Sequence, residues 1–519
     1  MSKKIYITTP IYYASGKPHI GHAFSTILAH SIVGYKKMLG YETLFLGGMD
    51  EHGQKIADKA KAINKSPQTF VDEICDEFTK LWNKLGTKYD CFVRTSNSNH
   101  CQVVQKVFSQ FFNAKFIYLD TWKGLYCVQC EENYTLGNAI KKDGELYCKV
   151  GHKLTEKFEE SYFLKLSMFQ EWLENFYVDK PKFIIPTERL TEIRNNFIKE
   201  GIEDLSITRT TFDWGIPVIE NKKHVIYVWI DALMSYLTGL GFLQDDDSLY
   251  QKFWNSDDVE RVHIVGKEIT RFHGIYWPIM LKMLNVKMPT NLLSHGWIVT
   301  KEGKMSKSLG NVVDPIEYID NYGRDALRYF LLRTINTESD GIFSHDLFIS
   351  TYNTDLANNY GNFISRTLGM LNKYTNGIVP KFNPSVLDEK DKQIINEITN
   401  VKSLIINEIN NFKINNVLAH IMNINSLANK YIEDTKPWTL KSDNQKDKLN
   451  SFLTIVANVS KTLTYLLSPV LIDGTSKALE QLNLSNCNLN FDNAFEFNTM
   501  DELKVNLSSP IYVIIKNKK

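Results

Sequence analysis

Two short stretches of this sequence hold residues able to do phosphate chemistry. In Y-Y-A-S-G-K-P-H-I-G-H, residues 12–22, His19 and His22 stand three apart just after an apolar run, with Gly21 between them. Residues at i and i+3 emerge on one side of a helical turn, so a helix starting here aims both imidazoles the same way. The unpaired N–H groups and partial positive charge of a helix N-terminus favour an anion there, most simply a phosphate. Far along the chain, G-K-M-S-K-S-L-G-N at 303–311 places Lys304 and Lys307 in a glycine- and serine-flanked loop. Two ammonium groups on such a loop can wrap a polyphosphate and follow its charge as it moves.

The elements that must position these residues follow from hydrophobic period. A strand from Lys4 to Thr8, a helix from about His19 to Leu39 closed by Gly40, and a strand Y-E-T-L-F-L ending at Gly47-Gly48 make a βαβ unit. At T-W-K-G-L-Y-C-V-Q-C the pattern changes, as for an inserted segment. Alternation resumes near His224 with V-I-Y-V-W, read as a buried strand running into a helix. It continues through R-V-H-I-V-G-K-E and a helix R-F-H-G-I-Y-W-P-I-M-L-K-M-L, and ends at Leu292 to Val299. These make the second half of one parallel sheet. Beyond about residue 350 apolar residues recur at three- and four-residue spacing, which predicts a helical bundle.

The 519 residues exceed one core, so several domains are expected. Apolar residues at 43% and charged residues at 23% suit a folded chain, and a net charge of +1 neither announces nor excludes a nucleic acid. M-S-K-K-I-Y-I lacks the features of a secretion or organelle signal, which points to the cytoplasm. The apolar run 225–243 carries Asp231 and two glycines, so no membrane span is expected. Of seven cysteines, four are scattered without disulfide spacing, as in a reducing compartment.

H-I-G-H and K-M-S-K-S, in this order, are the two signatures of class I aminoacyl-tRNA synthetases. With T-P-I-Y-Y-A-S-G, L-G-G-M-D-E-H-G at 46–53, Y-V-W-I-D-A-L at 227–233 and V-G-K-E-I-T-R-F-H at 265–273, the chain resembles the methionyl-tRNA synthetases over essentially its whole length. The resemblance implies an α/β, Rossmann-like parallel-sheet catalytic domain in two halves, 1–115 and 226–300. They are split by a connective-peptide insertion at 116–225. A KMSKS loop and stem-contact region at 301–360 and an all-α anticodon-binding helical bundle at 361–519 complete it. An insertion of this length is too short for the editing domain of the isoleucine, leucine and valine enzymes, and small nucleotidyltransferases with an H-x-x-H turn lack the helical part.

The implied reaction activates L-methionine with ATP and Mg²⁺ and transfers it to tRNA(Met), initiator and elongator. His19, Gly21, His22, Gly266, Glu268, Ile298, Lys304 and Lys307 are then expected around ATP. His19, His22, Lys304 and Lys307 would carry the catalysis. Ile11, Tyr13, Asp50, Trp229, Ala232, Leu233, Tyr236, Phe272 and His273 are expected around methionine; Leu233 stands where some members have proline. Asn362, Arg366 and Trp438 match anticodon-reading positions. Cys127, Cys130, Cys148 and His152, as C-x₂-C and C-x₃-H, supply three thiolates and an imidazole for a structural Zn²⁺, although the second pair is one residue longer than the commoner family spacing. Nothing resembles the C-terminal module through which some members dimerise, so a monomer is expected.

Overall fold

Strand β1, Lys4–Tyr13, reads K-I-Y-I-T-T-P-I-Y-Y. Its β-branched and aromatic residues suit a pleated surface, and continuous burial over residues 5–10 marks a strand covered on both faces. In this computed structural model, which describes residues 3–134, 138–300, 303–304 and 312–516, β1 lies in a six-stranded sheet. The other strands are β2 (Glu42–Asp50), β3 (Cys91–Arg94), β4 (Ile184–Ile185), β5 (Val259–Gly266) and β6 (Asn291–His295). The order is β3-β2-β1-β5-β6-β4, and the ladders β2/β3, β1/β5, β5/β6 and β6/β4 run parallel. From β1 the sheet grows one way through β2 and the other through β5. In an open α/β sheet that switch leaves a crevice outside the carboxyl ends of the strands, where ligands bind.

The chain divides into two compact units. The first comprises Met1–Pro18, Thr43–Asn83 and Lys88–His295 and carries the sheet; the second comprises His19–Glu42, Lys84–Thr87 and Gly296–Lys519. Within the first unit, residues after β3 build a separate antiparallel sheet in the order Leu205–Ser206, Thr155–Leu164, Ile117–Cys127 and Glu132–Tyr134.

Two elements depart from the sequence reading. The run 225–229 is a strand only at Val225–Ile226, paired with Thr208–Arg209 outside the main sheet, and a helix starts at Val228. That helix, Val228–Thr238, is buried nearly all round, and a short apolar run gives no period by which to tell buried helix from buried strand. The two-residue β4, inside the segment expected as an insertion, closes the edge of the main sheet against β6. Two residues carry no periodic signal at all.

The second unit is largely helical. Its first helix, Ile20–Met38, buries most of its length, and the unit continues through Arg324–Thr334 and Asn362–Thr375 to three 22-residue helices, Glu389–Asn410, Ile414–Thr435 and Lys446–Leu467. Ile394, Ile398, Ile405 and Ile409 form the apolar stripe of the first of these, at spacings of a helix face. Arg328, wholly buried, donates to the carbonyls of Leu85, Pro469 and Val470 and to His30 Nδ1, at 2.7 to 3.3 Å. Its neighbour Asp325 accepts from the backbone N–H groups of Ile472, Asp473 and Gly474 and from the Tyr512 hydroxyl, at 2.7 to 3.2 Å. A carboxylate is thereby set at the N-terminus of the helix Asp473–Gln481, where N–H groups lack intrahelical partners.

Candidate active site

Three strand ends of the first unit supply residues to one region of chemistry: Tyr13 ends β1, Asp50 ends β2 and Gly266 ends β5. Asp50 is buried, and its Oδ1 has no hydrogen-bond partner among the described residues. Burial first, then the charges of Asp231, Glu131 and Glu51, push its carboxyl well above the usual range. An orphaned buried carboxylate surrounded by like charge is a receptor for a cation. Ile11 lies against β2, where a Cβ on Gly48 would come within 2.9 Å of its Cγ2.

The helix Val228–Thr238 brings the aromatic part. Trp229 stacks on Phe272, with ring centroids 3.7 Å apart and planes 6° apart, and its buried Nε1 has no partner among the described residues. Ala232, Leu233 and Tyr236 follow on the same helix and are buried at 5%, 1% and 1% exposure. Tyr236 Oη lies 2.7 Å from His273 Nε2, while His273 Nδ1 lies 3.0 Å from the Ile269 carbonyl. A carbonyl only accepts, so the ring proton sits on Nδ1 and Nε2 accepts from the tyrosine. Burial holds His273 neutral, its pKa lowered to about 4. All of these predicted methionine residues belong to the first unit.

Beneath them lies a cluster that sequence reasoning missed. Asp231 Oδ2 accepts from His52 Nδ1 at 2.7 Å and Oδ1 from His100 Nε2 at 2.6 Å. Burial alone would raise the Asp231 carboxyl; the attraction of His52 and the hydrogen bonds from both imidazoles outweigh it and hold it below the usual range. The signal was legible, because an aspartate inside an apolar helix needs buried partners. Which partners it finds is a matter of tertiary structure.

In the second unit His19 is the N-cap of the helix Ile20–Met38. His19 Nδ1 accepts from Gly21 N and His22 Nδ1 accepts from His19 N, both at 3.1 Å. The two rings stack 3.8 Å apart. With both Nδ1 atoms accepting, the neutral rings carry their protons on Nε2 as donors. Ile298, 6% exposed, begins the strand Ile298–Thr300 in this same unit. Gly266 and Glu268 belong to the first: Glu268 is exposed, and a side chain at 266 would fall 2.6 Å from its Oε2. Of Lys304 only the backbone is described, in the two-residue strand Gly303–Lys304, and Lys307 lies outside the described residues.

Asn362 and Arg366 lie one turn apart on the helix Asn362–Thr375, Asn362 exposed and Arg366 paired with Glu433 Oε1 at 2.5 Å. Trp438 is 44% exposed on the short turn Pro437–Thr439, an aromatic face open to stacking.

Cys127, Cys130, Cys148 and His152 bring three sulfurs and a ring nitrogen within 4.8 Å of one another. Sγ of Cys127, Cys130 and Cys148 lie 3.9, 3.3 and 3.6 Å from His152 Nδ1. Zinc–sulfur and zinc–nitrogen bonds of about 2.3 and 2.0 Å in a tetrahedron need donor separations of this order. The extra residue of C-x₃-H is taken up by Gly151 at φ +91°, a conformation that favours glycine, and His152 N–H turns back to Cys148 Sγ at 3.3 Å. A hydrogen bond from Cys130 is the main cause that lowers the pKa of the Cys127 thiol. Donor set and spacing fit zinc.

A family model described as tRNA synthetases class I (M) matches residues 5–143 and 141–368, and one described as the anticodon-binding domain of tRNA ligase matches 391–479. The methionine–tRNA ligase of Ureaplasma parvum serovar 3 is 51% identical over 516 residues, covering 99% of this chain and 98% of that protein. Methionine–tRNA ligase 1 of Bacillus anthracis is 44% identical over 492 residues, 93% of this chain and 74% of that protein. A solved structure of Mycobacterium tuberculosis methionyl-tRNA synthetase in complex with methionyl-adenylate superposes with a TM-score of 0.93 at 32% identity, over 98% of this chain and 99% of that one. With a parallel catalytic sheet, a helical anticodon part and relatives matched almost end to end, the chain belongs to the class I aminoacyl-tRNA synthetases specific for methionine, the methionine–tRNA ligases.

Proposed function

We propose that this chain joins L-methionine to initiator and elongator tRNA(Met) with the residues above in defined roles. Asp50 receives the substrate ammonium; its Oδ1, unpartnered among the described residues, is the observation that carries this assignment. Bringing a cation to that oxygen offsets the burial and like-charge repulsion that raise the pKa of the carboxyl. The thioether lies among Ile11, Tyr13, Trp229, Ala232, Leu233, Tyr236, Phe272 and His273, where sulfur–aromatic contacts are favourable.

The methionine carboxylate attacks the α-phosphate of ATP and pyrophosphate leaves, after which the 3′-terminal adenosine of tRNA takes the methionyl group. Neither step needs a protein nucleophile, so catalysis comes from positioning and from cations aimed at developing charge. In this reading His19 and His22 donate to the triphosphate through Nε2–H. Gly21 leaves its backbone accessible, and Lys304 and Lys307 neutralise the transferring and leaving phosphates. Mg²⁺ supplies further neutralisation of phosphate charge when bound. Gly266, Glu268 and Ile298 flank the nucleoside, Glu268 as an acceptor for ribose hydroxyls. Asn362, Arg366 and Trp438 read the anticodon by edge hydrogen bonds and stacking.

Zinc held by Cys127, Cys130, Cys148 and His152 has a structural role. The domain reading 1–115 with 226–300, 116–225, 301–360 and 361–519 belongs to the same proposal, as does a cytoplasmic monomer. Replacing Lys307 by Ala tests the phosphate roles: methionine-dependent ATP–pyrophosphate exchange should fall roughly ten- to a thousandfold, by analogy with loss of one electrostatic donor, while thermal unfolding stays unchanged. An unchanged exchange rate would remove Lys307 from the chemistry.

A further inference from the structure

The residue that follows Cys130 is Glu131, a buried glutamate, 4% exposed, in a left-handed backbone conformation with φ +52°. A β-carbon makes that conformation uncommon, so something must hold it. Its side chain holds Tyr126 beside the cysteine knuckle, and its side chain and carbonyl also reach out of the knuckle. Oε1 accepts from the Tyr13 hydroxyl at 3.2 Å and from Lys55 N at 3.1 Å. Oε2 accepts from Tyr126, and the backbone carbonyl accepts from the Tyr227 hydroxyl.

The bond to Lys55 has a second meaning. Helix Gln54–Ala62 begins just after Asp50, and its N-cap, Gly53, offers no side-chain cap. The Glu131 carboxylate caps it from another part of the chain, at the end of the helix where negative charge is favoured. Gly53 itself sits at φ +114°, and a Cβ there would come 2.8 Å from Glu131 Oε1 and 2.9 Å from Tyr13 Oη. Next along, Glu132 pairs with Arg271, whose guanidinium lies 4.9 Å over the Phe272 ring that stacks on Trp229. Two consecutive acids thus leave the knuckle toward two walls of the pocket.

We propose that Glu131 is a positioning residue for methionine binding: it ties Tyr13 and the backbone following Asp50 to the cysteine knuckle, so that loading the knuckle with metal and binding methionine are coupled. This rests on the reading of Asp50 and Tyr13 as methionine contacts. Zinc on Cys130 would fix the turn from which Glu131 projects, and an empty knuckle would let that carboxylate leave Tyr13 and the helix N-terminus.

The test is equilibrium methionine binding by calorimetry, with zinc content measured on each sample. The series comprises the wild-type chain, Glu131→Ala, Glu131→Gln, Asp50→Asn, and wild type stripped by a chelator and then reloaded with zinc. Glu131→Ala should keep its zinc yet bind methionine about tenfold more weakly, with the KM for ATP changed less than about twofold. Glu131→Gln keeps an acceptor for Lys55 N–H and Tyr13 and should recover most of the affinity. Stripping wild type should produce the same weakening, reversed by zinc. Wild-type affinity in zinc-loaded Glu131→Ala, or in the stripped chain, overturns the proposal. If Glu131→Ala does not fold, Glu131→Gln and the stripped chain decide: unchanged affinity in the stripped chain overturns the coupling. Should Asp50→Asn also bind methionine normally, the pocket assignment itself falls; a weakened Asp50→Asn beside a normal Glu131→Ala refutes the coupling alone.

Discussion

Tyr236 donates its hydroxyl proton to His273 Nε2 across 2.7 Å, and the Ile269 carbonyl fixes which nitrogen of that imidazole can accept it. The proposed methionine pocket therefore presents a neutral histidine, its pKa lowered to about 4 by burial. Tyr236→Phe would leave a buried ring nitrogen unpaired, which costs on the order of 1–3 kcal/mol. Steady-state exchange kinetics should show a KM for methionine raised roughly five- to 150-fold, with the KM for ATP little changed. An effect on ATP alone would place the pair elsewhere in the chemistry.

A second imidazole contributes to the acid limb of stability. His30, in the second unit, accepts from Arg328 Nη2 at 3.1 Å, and burial, then the charges of Arg328 and Lys37, lower its pKa to about 3. The folded value lies below the ordinary 6.5, so between pH 6.5 and 3 the unfolded chain binds the extra proton. The stability this group contributes is complete above pH 6.5 and is lost as pH falls toward 3, with a slope of up to about 1.4 kcal/mol per pH unit. His30→Gln keeps an acceptor without a titrating ring. Urea unfolding of that variant at pH 7, 6 and 5 should show a shallower loss than wild type, and parallel curves would contradict this.

Asp325 closes the C-terminal part of the chain by accepting three backbone N–H groups at 472–474 and the Tyr512 hydroxyl. Asp325→Ala should lower the stability of the unit by about 3 kcal/mol or more, since hydrogen bonds to a charged acceptor are worth roughly 1.5–3 kcal/mol each and do not add fully. Limited proteolysis should then cut near Tyr512 first. Unchanged melting with an intact C-terminus would mean that the cap is redundant.

Trp438→Ala separates the two halves of the reaction. Loss of one base–aromatic stack costs about 1–3 kcal/mol, so kcat/KM for tRNA(Met) charging should fall roughly five- to 150-fold. Methionine-dependent exchange, which needs no tRNA, should hold at the wild-type rate. Equal loss in both assays would assign Trp438 a folding role.

Much of the site was legible because its chemistry is local. His19 and His22 share one helical turn, and the cysteines of the knuckle declare themselves by spacing. The βαβ opening and the helical bundle follow from period. The Val225–Trp229 run was misread because a short apolar run looks alike in a strand and in a helix. Asp231 meets His52 and His100 from 179 and 131 positions away, and Glu131 meets Tyr13 from 118. Separations of that kind leave no trace in any short window, so such contacts become visible only when the sheet and the inserted strands are assembled.

The most direct measurement is amino-acid-dependent ATP–pyrophosphate exchange by the purified chain with methionine, leucine, isoleucine, valine and cysteine offered one at a time. Methionine should support exchange with a kcat/KM at least about a hundredfold above each of the others, because a pocket built around the longer thioether leaves them poorly held. Exchange with none of the five, or faster exchange with one of the branched aliphatic residues than with methionine, would contradict the assignment of Asp50, Trp229, Tyr236, Phe272 and His273 to a methionine site.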